Sequence, residues 1–100
     1  MPVSEYDGGS VEVNISQFIR NLIKDIGKTP YDINNSECDY FADHIITAYP
    51  KAQIRTSEDY EPEMPVGHVW VEYHGRHYDA ECPNGVKNPL NLPIFRRVLK

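Results

Sequence analysis

The sequence predicts an α+β domain, two main helices packed on a small antiparallel sheet, with a cysteine at one helix N-terminus. Apolar residues recur at helical spacing from Ile15 to Ile26 and again from Cys38 to Tyr49. From Val66 to Cys82 the period shortens to two, with aromatic and β-branched residues on both sides of His74-Gly75. No composition shift divides the 100 residues, so residues 1–100 read as a single domain.

The elements follow in order. Residues 1–13 read as a loose start, with Gly8-Gly9 as a turn and Val11-Glu12-Val13 as a short edge strand. Ile15, Phe18, Ile19, Leu22, Ile23 and Ile26 then form one helical stripe, which Gly27 and Pro30 end. Arg20, Lys24 and Asp25 lie off that stripe, so this helix is core packing. Thr29 to Asn35 is rich in turn formers and reads as a loop. Ser36, with Asp39 three residues on, forms a carboxylate variant of the capping box and predicts a second helix, ended by Pro50. Cys38 falls in its first turn.

Ala52, Ile54 and Thr56 alternate as a short strand does, and Ser57 to Pro65 is an acidic, proline-bearing loop. The hairpin comes next. Residues 83–93 are dense in Pro, Asn and Gly and read as a tail with an Asn84-Gly85 turn, before a short apolar segment from Ile94 to Leu99.

A two-residue loop at His74-Gly75 sets the hairpin register: Tyr73 opposite Arg76, Trp70 opposite Asp79, His68 opposite Glu81. One face then carries His68, Trp70, Glu72, His77, Asp79 and Glu81; the other carries Val69, Val71, Tyr73, Tyr78 and Ala80 and is the core side. Asp79 is a diagonal neighbour of His68, close enough to orient an imidazole and stabilise its cation. A three-residue loop would reverse the parity and set His68 against Cys82. Glu81 is the rival orienting carboxylate. Trp70 either walls a groove or fills the core, and Glu72 and His77 also fit a solvated strand face.

A thiol in a first helical turn meets the positive end of the helix dipole, and a nearby imidazolium favours the thiolate further. The Cys38 N–H is then a candidate oxyanion donor, with Asn34 or Asn35 as a second. Cys38 also lies on the apolar stripe, where a buried, inert thiol is the competing reading. Cys82 reads as a packed thiol, and a Cys38–Cys82 disulfide is a further alternative.

Val66-Gly67-His68-Val69-Trp70-Val71-Glu72-Tyr73, followed by Gly75-Arg76-His77-Tyr78-Asp79-Ala80-Glu81, resembles the His and Asp motifs of the transglutaminase-like branch of the papain-like cysteine protease superfamily. In that branch a histidine opens a strand reading like "HxWVE", a short Gly-bearing turn follows, and an aromatic residue precedes the aspartate. The resemblance spans roughly residues 36–82 in the order Cys, His, Asp. It implies a papain/transglutaminase-like fold, Cys38 as nucleophile, His68 as general base and acid, Asp79 as orienting carboxylate, and a peptide, protein or small amide substrate. A non-catalytic protein-binding module on the same scaffold is the alternative.

Ten Lys and Arg against fifteen Asp and Glu give a formal net charge of -5, which disfavours phosphate backbones and anionic membranes. No nucleic-acid or membrane partner is expected. Four histidines and two cysteines lack the paired short spacing of a zinc site, so neither a metal nor a cofactor is expected. With no long apolar stretch and a polar start, the expected location is cytoplasmic. Glu58, Asp59, Glu61 and Glu63 beside a cleft would favour a cationic substrate, and Arg96-Arg97 is a site for an acidic group.

Overall fold

The computed structural model describes residues 11–60 and 66–99. Helices α1 (Val11–Ile26), α2 (Pro30–Ser36) and α3 (Cys38–Ala48) precede a four-stranded antiparallel sheet, β1 (Gln53–Thr56), β2 (Val69–Tyr73), β3 (Arg76–Asp79) and β4 (Cys82–Val86), and α4 (Pro93–Leu99) closes the chain. The strands lie in chain order across the sheet. This is the α+β class; β4, α2 and α4 are elements the periodicity does not predict, and the predicted edge strand at Val11–Val13 is helical.

Each difference has a local cause. Val11–Val13 is the first turn of α1 rather than an edge strand. Extending an existing helix adds a hydrogen bond for each residue fixed, whereas a three-residue strand needs a sheet edge to pair with. Thr29 to Asn35 is not a loop, because Thr29 accepts a hydrogen bond from Asp32 N (3.1 Å) and Pro30 occupies the first helical turn, so α2 forms. Ser36 does not cap α3. Its hydroxyl donates to Asp32 O within α2 (2.8 Å), and Glu37 ends one helix and starts the next. Asp39 accepts only from the adjacent Tyr40 N.

Cys82–Val86 is a strand although it contains Pro83, Asn84 and Gly85. β4 is an edge strand, where the missing proline N–H leaves no ladder bond unmade. Its pairing with β3 is irregular: Asp79 faces Cys82 and His77 faces Val86. Gly85 makes that irregularity possible, with φ +79° and the Tyr78 ring pressed against it; a Cβ there would lie 2.7 Å from a ring carbon. Gly85→Ala is expected to destabilise the fold by about 2–3 kcal/mol, through unfavourable φ plus overpacking, seen as a lower denaturant midpoint at unchanged slope. A midpoint equal to wild type would show that the strand re-forms without cost.

The hairpin turn is as predicted. His74 (φ 52°) and Gly75 (φ 77°) form a two-residue loop, and Tyr73 pairs with Arg76, Glu72 with His77 and Val71 with Tyr78. Both faces of the sheet are covered. Ile15, Ile19 and Leu22 of α1, with Phe41 and Ile45 of α3, pack on Val71, Tyr73 and Tyr78. On the other face Trp70 joins Leu92, Ile94 and Phe95 in a second core. Each such buried side chain contributes on the order of 1.5–3 kcal/mol. Trp70 therefore fills a core, and the His68–Asp79 face is not solvated.

Ser57–Tyr60 is a short 3₁₀ helix pinned to the strand entering the sheet, since Ser57 N donates to His68 O (3.0 Å) and Ser57 Oγ to Val66 O (2.6 Å). The first part of the predicted acidic loop is thus ordered. Glu61 and Glu63 lie outside the described residues, as do the predicted Gly8-Gly9 turn and residues 1–10. Among the described residues no helix is long and apolar enough to cross a membrane.

Candidate active site

Three chain segments meet at one end of the sheet. Cys38 is the first residue of α3, His68 immediately precedes β2, and Asp79 is the last residue of β3. Because β2 and β3 run antiparallel through a two-residue turn, the start of one lies beside the end of the other. His68 Nε2–H donates to Asp79 Oδ2 at 2.9 Å, with both side chains essentially buried (0% and 2% exposed). Asp79 Oδ1 accepts from Glu81 N at 3.0 Å, so the carboxylate is held at both oxygens. Among the described residues, the buried His68 Nδ1 completes no hydrogen bond, while the Cys38 thiol is near enough to raise the ring's pKa.

The half-buried thiol and the imidazole shift each other's titration. Cys38 lies below its ordinary value of 9.0: hydrogen bonding to His68 has the largest effect, burial opposes it, and the Val69 N–H and the imidazolium charge add to it. For His68, burial alone pushes the pKa down, yet hydrogen bonds to Asp79 and Cys38 and their charges outweigh it and raise the pKa from 6.5 to about 9. The pair therefore favours thiolate and imidazolium. Glu37, at the N-cap of α3, makes no side-chain cap bond, and Asp39 takes the Tyr40 N–H of the first turn; the Cys38 end of the helix keeps the positive pole of the dipole.

The second cysteine behaves oppositely. Cys82 is free, as is Cys38, which excludes the disulfide reading. Burial and the charge of Asp79 push the Cys82 thiol above its ordinary value.

The chain matches no protein-family model, no curated protein and no solved structure.

The rival carboxylate is engaged elsewhere. Glu81 accepts from Asn34 Nδ2 (2.9 Å) and from both terminal nitrogens of Arg97 (2.9 and 3.0 Å), not from His68. The predicted pairing of His68 with Glu81 does not form, because β3 ends at Asp79 and the chain turns through Ala80 and Glu81 into β4. Asn34 gives one amide N–H to Glu81 and Asn35 gives one to Tyr31 O (2.7 Å), which leaves each a second N–H.

Two contributors escaped the sequence reading. Phe95 of α4 meets the His68 ring edge-on at 5.8 Å, and Trp70 stacks on it at 5.9 Å, so the imidazole sits in an aromatic slot. Trp70 is fixed in turn by Nε1–H donating to His77 Nδ1 (2.9 Å), which holds His77 as a neutral acceptor; burial pushes His77 below its ordinary pKa. The Val69 backbone N–H is the other contributor, and no side-chain pattern announces it. Among the described residues no three His, Cys, Asp or Glu side chains gather as a metal site. A cleft of about 220 Å³ lined by Thr56, Ser57, Glu58, Gly67, His68 and Val69 opens beside His68.

Proposed function

We propose that this chain is a cysteine-nucleophile acyl-transfer enzyme, a thiol hydrolase or transglutaminase-like transferase on a papain/transglutaminase-like scaffold, acting on an amide or ester of a peptide, protein or small molecule. The observation that carries the reading is the buried His68, anchored through Nε2 on Asp79 and near enough to the Cys38 thiol to lower its pKa. A packed structural cysteine has no need of an imidazole held at a fixed tautomer. The order Cys38, His68, Asp79 and the resemblance of residues 66–81 to the transglutaminase-like motifs support it.

The Cys38 thiolate attacks the carbonyl carbon, and the resulting oxyanion meets the Cys38 N–H at the start of α3. His68, as imidazolium, gives its proton to the departing amine or alkoxide, leaving a thioester on Cys38. Water or an amine then attacks the thioester, His68 takes the incoming proton, and the thiolate is released. Asp79 keeps the ring oriented and stabilises its cation throughout without itself becoming protonated. No metal or redox step is required.

The test uses the chain carrying Cys82→Ser and an activated ester, p-nitrophenyl acetate. A stoichiometric burst of p-nitrophenolate with the acetyl group mapped to Cys38 by peptide mass is expected. Acetylation confined to lysines, with Cys38 unmodified, would sink the proposal and leave a protein-binding module on this scaffold.

A further inference from the structure

Glu81 was placed by sequence as a rival to Asp79, yet it occupies a different position in the architecture. Its backbone N–H holds Asp79 Oδ1. Its carboxylate, 15% exposed, takes a two-pronged pair of hydrogen bonds from Arg97 of α4 and one from Asn34 of α2. The Arg97 guanidinium also lies over the ring of Tyr31, 4.9 Å from its centroid, and Tyr31 is again on α2. Asn34 is 4% exposed and lies on α2, four residues before Cys38.

Three elements thus converge on one carboxylate: the β3–β4 turn that follows Asp79, the helix α2 that leads through Glu37 to Cys38, and the C-terminal helix whose Phe95 covers His68. A planar guanidinium bonded at both prongs fixes direction as well as distance, which a lysine ammonium does not. An ion pair this exposed adds little to stability, so its effect lies in geometry.

We infer that Glu81 and Arg97 are positioning residues, a clamp that sets Asp79 and the nucleophile segment at their working separation. The inference rests on the triad reading of Cys38, His68 and Asp79. Released from the clamp, the Ala80-Glu81 turn and α2 shift independently, and small displacements of this kind cost up to about 100-fold in rate.

The experiment measures the pH dependence of Cys38 alkylation by iodoacetamide in the Cys82→Ser chain, with Arg97→Met, Arg97→Lys and Glu81→Gln added singly and folding checked by thermal melting. The expected result is that the acid limb of the wild-type profile moves up by about one pH unit in Arg97→Met, and by less in Arg97→Lys. Arg55→Met, which breaks the Arg55–Glu72 pair on the same sheet (2.8 Å), is the control and leaves the profile in place. If Arg97→Met does not fold, Glu81→Gln decides by the same criterion. Folded clamp variants with the wild-type profile, or an equal shift in Arg55→Met, would overturn the clamp while leaving the triad standing. An ordinary thiol profile in the Cys82→Ser chain itself would overturn both.

Discussion

Asp79→Asn is expected to lower kcat for p-nitrophenyl acetate by about 10⁴-fold while the domain stays folded. The reason is a count of donors. Asp79 accepts from two of them, His68 Nε2–H at Oδ2 and Glu81 N–H at Oδ1. An asparagine in the same place offers one acceptor and one donor. The Glu81 donor is backbone and cannot change, so the amide oxygen goes to it and the NH₂ faces His68. Nε2 must then become an acceptor, which moves the ring proton to Nδ1. In that tautomer the imidazole cannot take the thiol proton, and the ion pair is lost although the shape is preserved. Steady-state kinetics with melting curves in parallel check it. A folded Asp79→Asn variant within tenfold of wild type would mean that the carboxylate only packs. Glu81→Ala should cost less, because it loosens Asp79 without removing its charge.

The parts of this molecule legible in sequence are those governed by local rules. His74-Gly75 accepts the two positive φ angles of a tight hairpin turn, and the turn length alone sets which residues of β2 and β3 share a face. From that parity the approach of Asp79 to His68 follows. The apolar stripe ended by Pro50 gives the helix and its end; the Ser36–Asp39 capping box that predicts its start near Cys38 does not form, Ser36 bonding within α2 instead. The Thr29-Pro30 pair was a readable helix signal, masked by the turn-forming residues around it. β4 was not readable. A segment running Cys82, Pro83, Asn84, Gly85 has poor strand propensity, and it pairs only because β3 offers an edge and Gly85 leaves room for Tyr78. Equally hidden was the second core. Nothing within Ile94 to Leu99 says that Phe95 will sit on His68; that contact depends on α4 crossing the far face of the sheet, a tertiary outcome. The Arg97 partner of Glu81, the rival carboxylate, was hidden for the same reason, since that guanidinium comes from 16 residues away.

Removing the imidazole should be the most damaging change short of removing the thiol. His68→Ala is expected to lower acyl transfer by about 10⁴- to 10⁶-fold, because one group serves as ion-pair partner, acid and base, and members of such a unit fail together. The pH dependence identifies the cause. Wild-type kcat/KM should follow a bell. Activity rises with pH as Cys38 loses its proton, at a value below the ordinary 9.0, and falls as His68 loses its proton near 9, since a neutral imidazole cannot protonate the leaving group. In His68→Ala the alkaline limb disappears and the acid limb moves to the ordinary thiol range. Alkylation separates thiolate formation from the later proton transfer. An ordinary thiol, pKa ~8.5, is only about 0.3% thiolate at pH 6, whereas the paired thiol is more ionised there; the lower intrinsic nucleophilicity of a low-pKa thiolate offsets much of that gain. The expected difference in rate at pH 6 is therefore only about tenfold, and the shape of the profile carries the information. A wild-type rate that climbs tenfold per pH unit from 6 to 8, parallel to His68→Ala, would show that no ion pair forms and that Cys38 is a core thiol.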